Sequence, residues 1–142
     1  MRRKLSHVVV HSGNQTAFAE DKGRFFVLYD QNIKKRLGAR DLSETVFHEA
    51  VHATMDHPLA RQIAWRSAQR KDKSFVTQYA AQNPQKEDMA ESALFAWAIL
   101  KYPGRLPTAV EASVRKLMPH RLAYFEKHWA GVAPTVAGND PC

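Results

Sequence analysis

Asp41-Leu42-Ser43-Glu44-Thr45-Val46-Phe47-His48-Glu49-Ala50-Val51-His52-Ala53-Thr54-Met55-Asp56 is the stretch on which the reading of this chain turns. Asp41 with Glu44 three residues later has the form of a capping box, which predicts that a helix opens there. At helical spacing, Leu42, Val46, Ala50 and Ala53 make one apolar stripe, and Phe47, Val51 and Met55 make a second. The polar residues are left on a narrow face that runs Thr45, His48, Glu49, His52, Asp56. A helix that is apolar on two sides belongs in a core. Pro58 stops it or opens the next one, because proline inside a helix forfeits a backbone hydrogen bond. The predicted element is a central, mostly buried helix whose polar strip carries two imidazoles and a carboxylate.

That strip has the spacing of a metal site. Residues four apart lie on one helix face, so His48 and His52 can offer ring nitrogens to one tetrahedral zinc ion. Glu49, beside the first of them, is placed to act as general base on a water that the metal activates. Nitrogen and oxygen donors at this spacing make zinc, Zn2+, the default metal. A catalytic zinc also needs a third protein ligand and an open position. The downstream candidates are His57, His120, His128, Glu87, Asp88 and Glu91. His57 precedes Pro58 and would point off the helix end, and His120 and His128 lie in a basic helical stretch where exposed or capping histidines are ordinary. Beyond Asn83-Pro84, residues 87–100 read as a strongly apolar helix with Glu87 and Glu91 four apart on one face. Carboxylates on a buried helix are costly unless paired or metal-bound. The plainer reading of the pair is two solvated residues that favour the helix dipole.

The HExxH helix, followed by Tyr79-Ala80, Asn83-Pro84 and the Glu87-x-x-Ala90-Glu91 element, resembles the anthrax-lethal-factor-like gluzincin metallopeptidases, a zincin group that includes the bacterial Pro-Pro endopeptidases. The resemblance covers about residues 42–100. It implies that His48, His52 and Glu87 hold zinc and that Glu49 is the general base. It further implies that Tyr79 stabilises the oxyanion and that Glu91 accepts a hydrogen bond from a ligand imidazole. Asp56 falls where the group often carries an acidic residue, and is expected to support the metal site from behind. One departure stands out: the stretch from Asn83 to Glu87 is one residue longer than the family spacing, which bears on Tyr79 rather than on Glu87.

Around this centre the chain reads as a small α+β domain, mostly helical, with a short N-terminal β-sheet. Strands are expected over 5–11 and 24–30, rich in β-branched and aromatic residues, with turns at Gly13-Asn14 and Asp21-Lys22-Gly23. In zincins an edge strand beside the active-site helix takes extended substrate by strand addition, and 24–30 is the candidate for that role. Helices are expected over 59–70, 74–82, 87–102, 108–118 and 121–129, with Thr108 and Glu111 repeating the capping box. Residues 1–130 form one expected domain, and 131–142, with Gly and Pro and no apolar period, an expected flexible tail.

Composition narrows the function classes. No run is long and apolar enough to cross a bilayer, and Met1-Arg2-Arg3-Lys4 leads into Ser6-His7 rather than the apolar core of a signal peptide. A soluble protein is expected, its compartment left open. Cys142 is the only cysteine, which excludes a disulfide framework and a thiolate zinc site. Net charge is +7, spread over 1–4, 34–36, 66–73 and 115–116. Such a surface suits acidic proteins, anionic cell-wall polymers or nucleic acid. Nucleic acid is disfavoured, because no stretch interleaves the charges with aromatics. The expected function is zinc-dependent hydrolysis of peptide bonds in a protein or peptide substrate. The alternatives are a zinc hydrolase for cell-wall peptides or amides, and a non-catalytic basic binding module on a degenerate zincin scaffold.

Overall fold

The computed structural model describes residues 4–133, so most of the stretch expected to form a tail, 134–142, lies outside the described residues. Three strands come first, β1 (His7–His11), β2 (Phe18–Glu20) and β3 (Phe25–Tyr29). Helix α1 (Asp30–Ala39) follows, then α2 (Leu42–Val51), which runs through a π-helical turn (His52–Asp56) into α3 (His57–Leu59). The rest is helical: α4 (Ile63–Asp72), α5 (Gln78–Gln82), α6 (Asp88–Lys101), α7 (Thr108–Leu117) and α8 (Pro119–His128). The architecture is thus α+β, mostly helical, with the sheet at the N-terminal end. Among the described residues no helix is long and apolar enough to cross a membrane.

The sheet order is β1-β3-β2. β1 runs parallel to β3, from His7 opposite Phe25 to His11 opposite Tyr29, and β2 is antiparallel, with Phe18 opposite Val27. The segment expected as a substrate-binding edge, 24–30, is therefore the central strand, and the edge beside α2 is β2. Phe26, Val27 and Leu28 in succession are buried, the pattern of a strand covered on both faces rather than of an edge.

Helix α2 joins two cores through the two stripes read in its sequence. Val46, Ala50 and Ala53 pack with Phe26 and Leu28 of the sheet. Phe47, Val51 and Met55 pack into the larger helical core with Trp65, Met89, Ala93, Ile99, Phe125 and Trp129. Burial on both flanks leaves the polar strip no freedom to rotate away.

Several local expectations are corrected. Neither capping box forms. Asp41 precedes α2, but its carboxylate pairs with Arg36 at 2.7 Å while its carbonyl accepts the Glu44 and Thr45 N–H groups. At α7 the residue before the helix is Pro107, and Glu111 pairs with Arg115 at 2.7 Å. Helix α1 was not anticipated, because it buries no residue and its apolar positions are too sparse to mark a face. It ends at Arg40, whose φ of 61° is the left-handed conformation of a helix stop. The helix expected over 74–82 begins only at Gln78, where the Thr77 hydroxyl accepts the Ala80 N–H at 3.1 Å. Pro58, expected either to stop the central helix or to open the next one, lies in the first turn of α3.

Candidate metal centre

Helices α2 and α6 pack side by side, and their facing polar positions meet at one point. His48 Nε2 and His52 Nε2 lie 3.0 Å apart. Glu87 Oε2 stands 3.3 Å from the first and 3.1 Å from the second. Atoms bound at about 2.0–2.1 Å to one tetrahedral ion are about 3.3 Å apart, so this triangle has the dimensions of three zinc ligands. Among the described residues these three side chains are the His, Cys, Asp or Glu group able to hold a metal.

The outer nitrogens of both rings are committed. His48 Nδ1 lies 3.1 Å from Glu91 Oε1, and His52 Nδ1 makes a short contact with Asp56 Oδ2. A carboxylate can only accept, so each ring carries its proton at Nδ1 and turns an Nε2 lone pair inward. Two imidazole lone pairs and a carboxylate oxygen then converge with no donor among them. Protons or a cation must hold the three together. With no cation, protons take that place: burial works against a charge on His48, but the hydrogen bonds it donates to Glu87 and Glu91 override that and push its pKa up to about 9. His52 follows the same logic against Asp56 and Glu87 and is pushed up to about 10. Glu87 is partly buried, which works to raise its pKa, yet the two imidazoles hold its carboxyl far below the usual carboxylate range. The donor set, its spacing and its charge all fit a divalent cation.

The π-helical turn belongs to this arrangement. Its i→i+5 bonding widens the helix, and such turns cluster at functional sites. Here it starts at His52 and ends at Asp56, the pair whose side chains meet, while the Thr54 hydroxyl returns to the Ala50 carbonyl at 2.6 Å.

Glu49 sits between the two histidines, and its carboxylate has no hydrogen-bond or ion-pair partner among the described residues. Burial raises its pKa, the charges of His48 and His52 work the other way, and the Glu87 charge adds to the rise. It lines an open cleft of about 490 Å³ together with His48, His52, Glu87, Tyr79 and Lys86. The opposite wall is β2 and its flanks, from Ala17 to Asp21. Tyr79 belongs to α5, is 49 % exposed, and lies with its hydroxyl near Glu87, whose charge adds to burial in raising the phenol's pKa. The longer stretch before Glu87 does not remove Tyr79 from the cleft.

Other histidines and acids weighed as ligands go elsewhere. His120 meets Asp72 at 2.9 Å, His128 stacks on Tyr124, and Asp88 is fully buried against Arg121. Three contributors were not read in the sequence. β2 is only three residues long, too short for a period to show. Lys86 carries no local mark. Thr77 hydrogen-bonds Glu91, and its position before α5 was its one signal.

No protein-family model, curated protein or solved structure matches the chain. Its chemistry is read from the geometry above.

Proposed function

We propose that this protein is a zinc-dependent metallopeptidase that hydrolyses peptide bonds in a protein or peptide substrate. The observation that carries the reading is the triangle of His48 Nε2, His52 Nε2 and Glu87 Oε2, with edges of 3.0–3.3 Å, facing a cleft that also holds an unpartnered Glu49. Zinc bound by those atoms would supply the Lewis acidity that acidifies water and polarises a scissile carbonyl.

The chain's own residues do the rest. Glu49 takes a proton from the attacking water and delivers it to the leaving amine, a role suited to a carboxylate whose pKa burial has raised. Tyr79 donates its hydroxyl to the oxyanion, and its exposure at the rim lets it meet substrate that has entered. Glu91 and Asp56 hold the ligand imidazoles with their Nε2 lone pairs inward. The outer edge of β2 is unpaired in the sheet and borders the cleft, so an extended substrate can add to it by main-chain hydrogen bonds.

The test is metal content by mass spectrometry on protein prepared without chelator or histidine tag, with Glu87→Ala beside the parent. The expected result is one zinc per parent chain and far less in the variant, with cleavage of a peptide library by the parent alone. A parent that stays metal-free when zinc is offered overturns the proposal.

A further inference from the structure

The two edges of the sheet differ. β2 is three residues long and ends in Glu20, whose carboxylate accepts the Gly23 N–H at 2.7 Å. β1 is five residues long, its register to β3 is unbroken by any bulge, and its outer edge has no neighbouring strand among the described residues. Val8 is 45 % exposed and Val10 62 %. Edge strands are ordinarily guarded by lysine, proline, a bulge or an inward charge. Ser6-His7-Val8-Val9-Val10-His11-Ser12 contains no lysine, arginine, acid or proline.

That segment reads the same in both directions. Laid antiparallel against a second copy about Val9, it sets Ser6 opposite Ser12, His7 opposite His11, Val8 opposite Val10 and Val9 opposite itself. One step further out, Leu5 meets Gly13 and Lys4 meets Asn14, so no like charges are opposed. A two-fold interface must be self-complementary, and a palindromic strand satisfies that condition residue by residue. The two faces are matched as well. Val8 and Val10 share the face of Phe26 and Leu28, so the second copy's valines would extend the strip that packs on α2. On the other face His7 stacks on Phe25 and His11 leans on Tyr29, which puts a pair of ring contacts on each side of the axis.

We infer that the free edge of β1 is the interface of a homodimer, in which two copies pair antiparallel through residues 6–12 into one continuous six-stranded sheet. Pairing satisfies the outward N–H and C=O groups of β1 and removes the apolar edge from water. The strand order becomes β2-β3-β1 continued by the mirror order of the second copy. The two β2 edges then stand about 24 Å apart, five strand spacings of about 4.8 Å, and both clefts remain open. The inference is independent of the reading of the metal centre.

Sedimentation of the full chain over a range of concentrations tests it, with Val10→Lys beside the parent. The parent is expected to be a dimer that dissociates on dilution. Val10→Lys places a charge on the apolar strip twice per dimer and is expected to raise Kd at least about tenfold, with an unchanged circular-dichroism spectrum because Val10 is exposed. A second measurement does not depend on the fate of that variant. In a Cys142→Ser background, Val9→Cys is expected to cross-link to itself across the axis, whereas Val8→Cys, facing Val10 of the other copy, is not. A parent that is monomeric at every concentration overturns the inference. So does a dimer indifferent to Val10→Lys, or one that cross-links through Val8→Cys rather than Val9→Cys.

Discussion

Helix α6 and its N-cap residue Glu87 carry two polar pairs one residue out of phase, and they meet opposite fates. Asp88 and Ser92 turn toward Arg121, which is fully buried. Asp88 contacts the guanidinium, accepts from Gln69 at 2.7 Å and from Ser92 at 3.1 Å, while Arg121 Nε meets Asp72 at 2.9 Å. Asp72 also accepts the first N–H groups of α8, His120 at 2.8 Å and Arg121 at 3.0 Å, so it caps that helix from α4. Every charge in this group finds its complement within the chain. Glu87 and Glu91, turned about 100° around the same helix, instead meet His48 and His52, where three electron-pair donors converge and none complements another. A closed network locks helices together. An open one could hold the proposed cation, and it leaves the Glu49 carboxylate beside it without a hydrogen-bond partner among the described residues.

The contrast predicts that damage to the two faces is separable. The largest effect is expected from Glu49→Gln, which removes the proton carrier but no metal donor: turnover should fall by about 10²–10⁴-fold with zinc content unchanged. Parallel assays of peptide cleavage and bound metal check this, and full activity in the variant would break the proposed mechanism. On the closed face, Asp88→Ala leaves buried Arg121 with Asp72 as its remaining carboxylate partner and should cost about 3 kcal/mol of stability in denaturant titration. If Asp88→Ala instead strips zinc from folded protein, the two faces are coupled and the comparison fails.

Smaller effects sharpen it. Tyr79→Phe should lower turnover by about 10²-fold with little change in zinc content or melting temperature, since the ring is half exposed and only its hydroxyl is removed. Acid should act on the closed face through Asp72. Burial works to raise its pKa, but the His120 and Arg121 donors override it and hold it below the ordinary 3.8. A depressed carboxyl contributes stability that is fully present above 3.8 and is lost as pH falls through the folded value. Unfolding free energies measured from pH 5 down to pH 2 should therefore fall less steeply in Asp72→Asn than in the parent.

Legibility in the sequence tracked range along the chain. The stripes of α2 and the apolar run of α6 are periodic over two or more turns, and periodicity survives folding because both faces are buried. Convergence of His48, His52 and Glu87 was legible only as one choice among several acids and histidines, because periodicity places residues on a face without saying which face of a second helix they meet. The capping boxes failed for a related reason. Asp41 and Glu111 had the right local spacing, but each found an arginine, Arg36 or Arg115, as a partner. Residues 24–30 were placed in a strand correctly but at the wrong position in the sheet, since strand order depends on a neighbour, β2, too short to announce itself.

The sequence by itself determined a mostly helical α+β chain, a central helix with two buried stripes, and a polar strip of two histidines and a glutamate at metal-ligand spacing, because each follows from i, i+4 geometry within one segment. Only the tertiary structure decided that Glu87 rather than Asp88 faces that strip, that Asp88 closes on Arg121 instead, and that β2 rather than β3 borders the cleft. Those outcomes depend on distances between segments well over 20 positions apart, which no local pattern encodes.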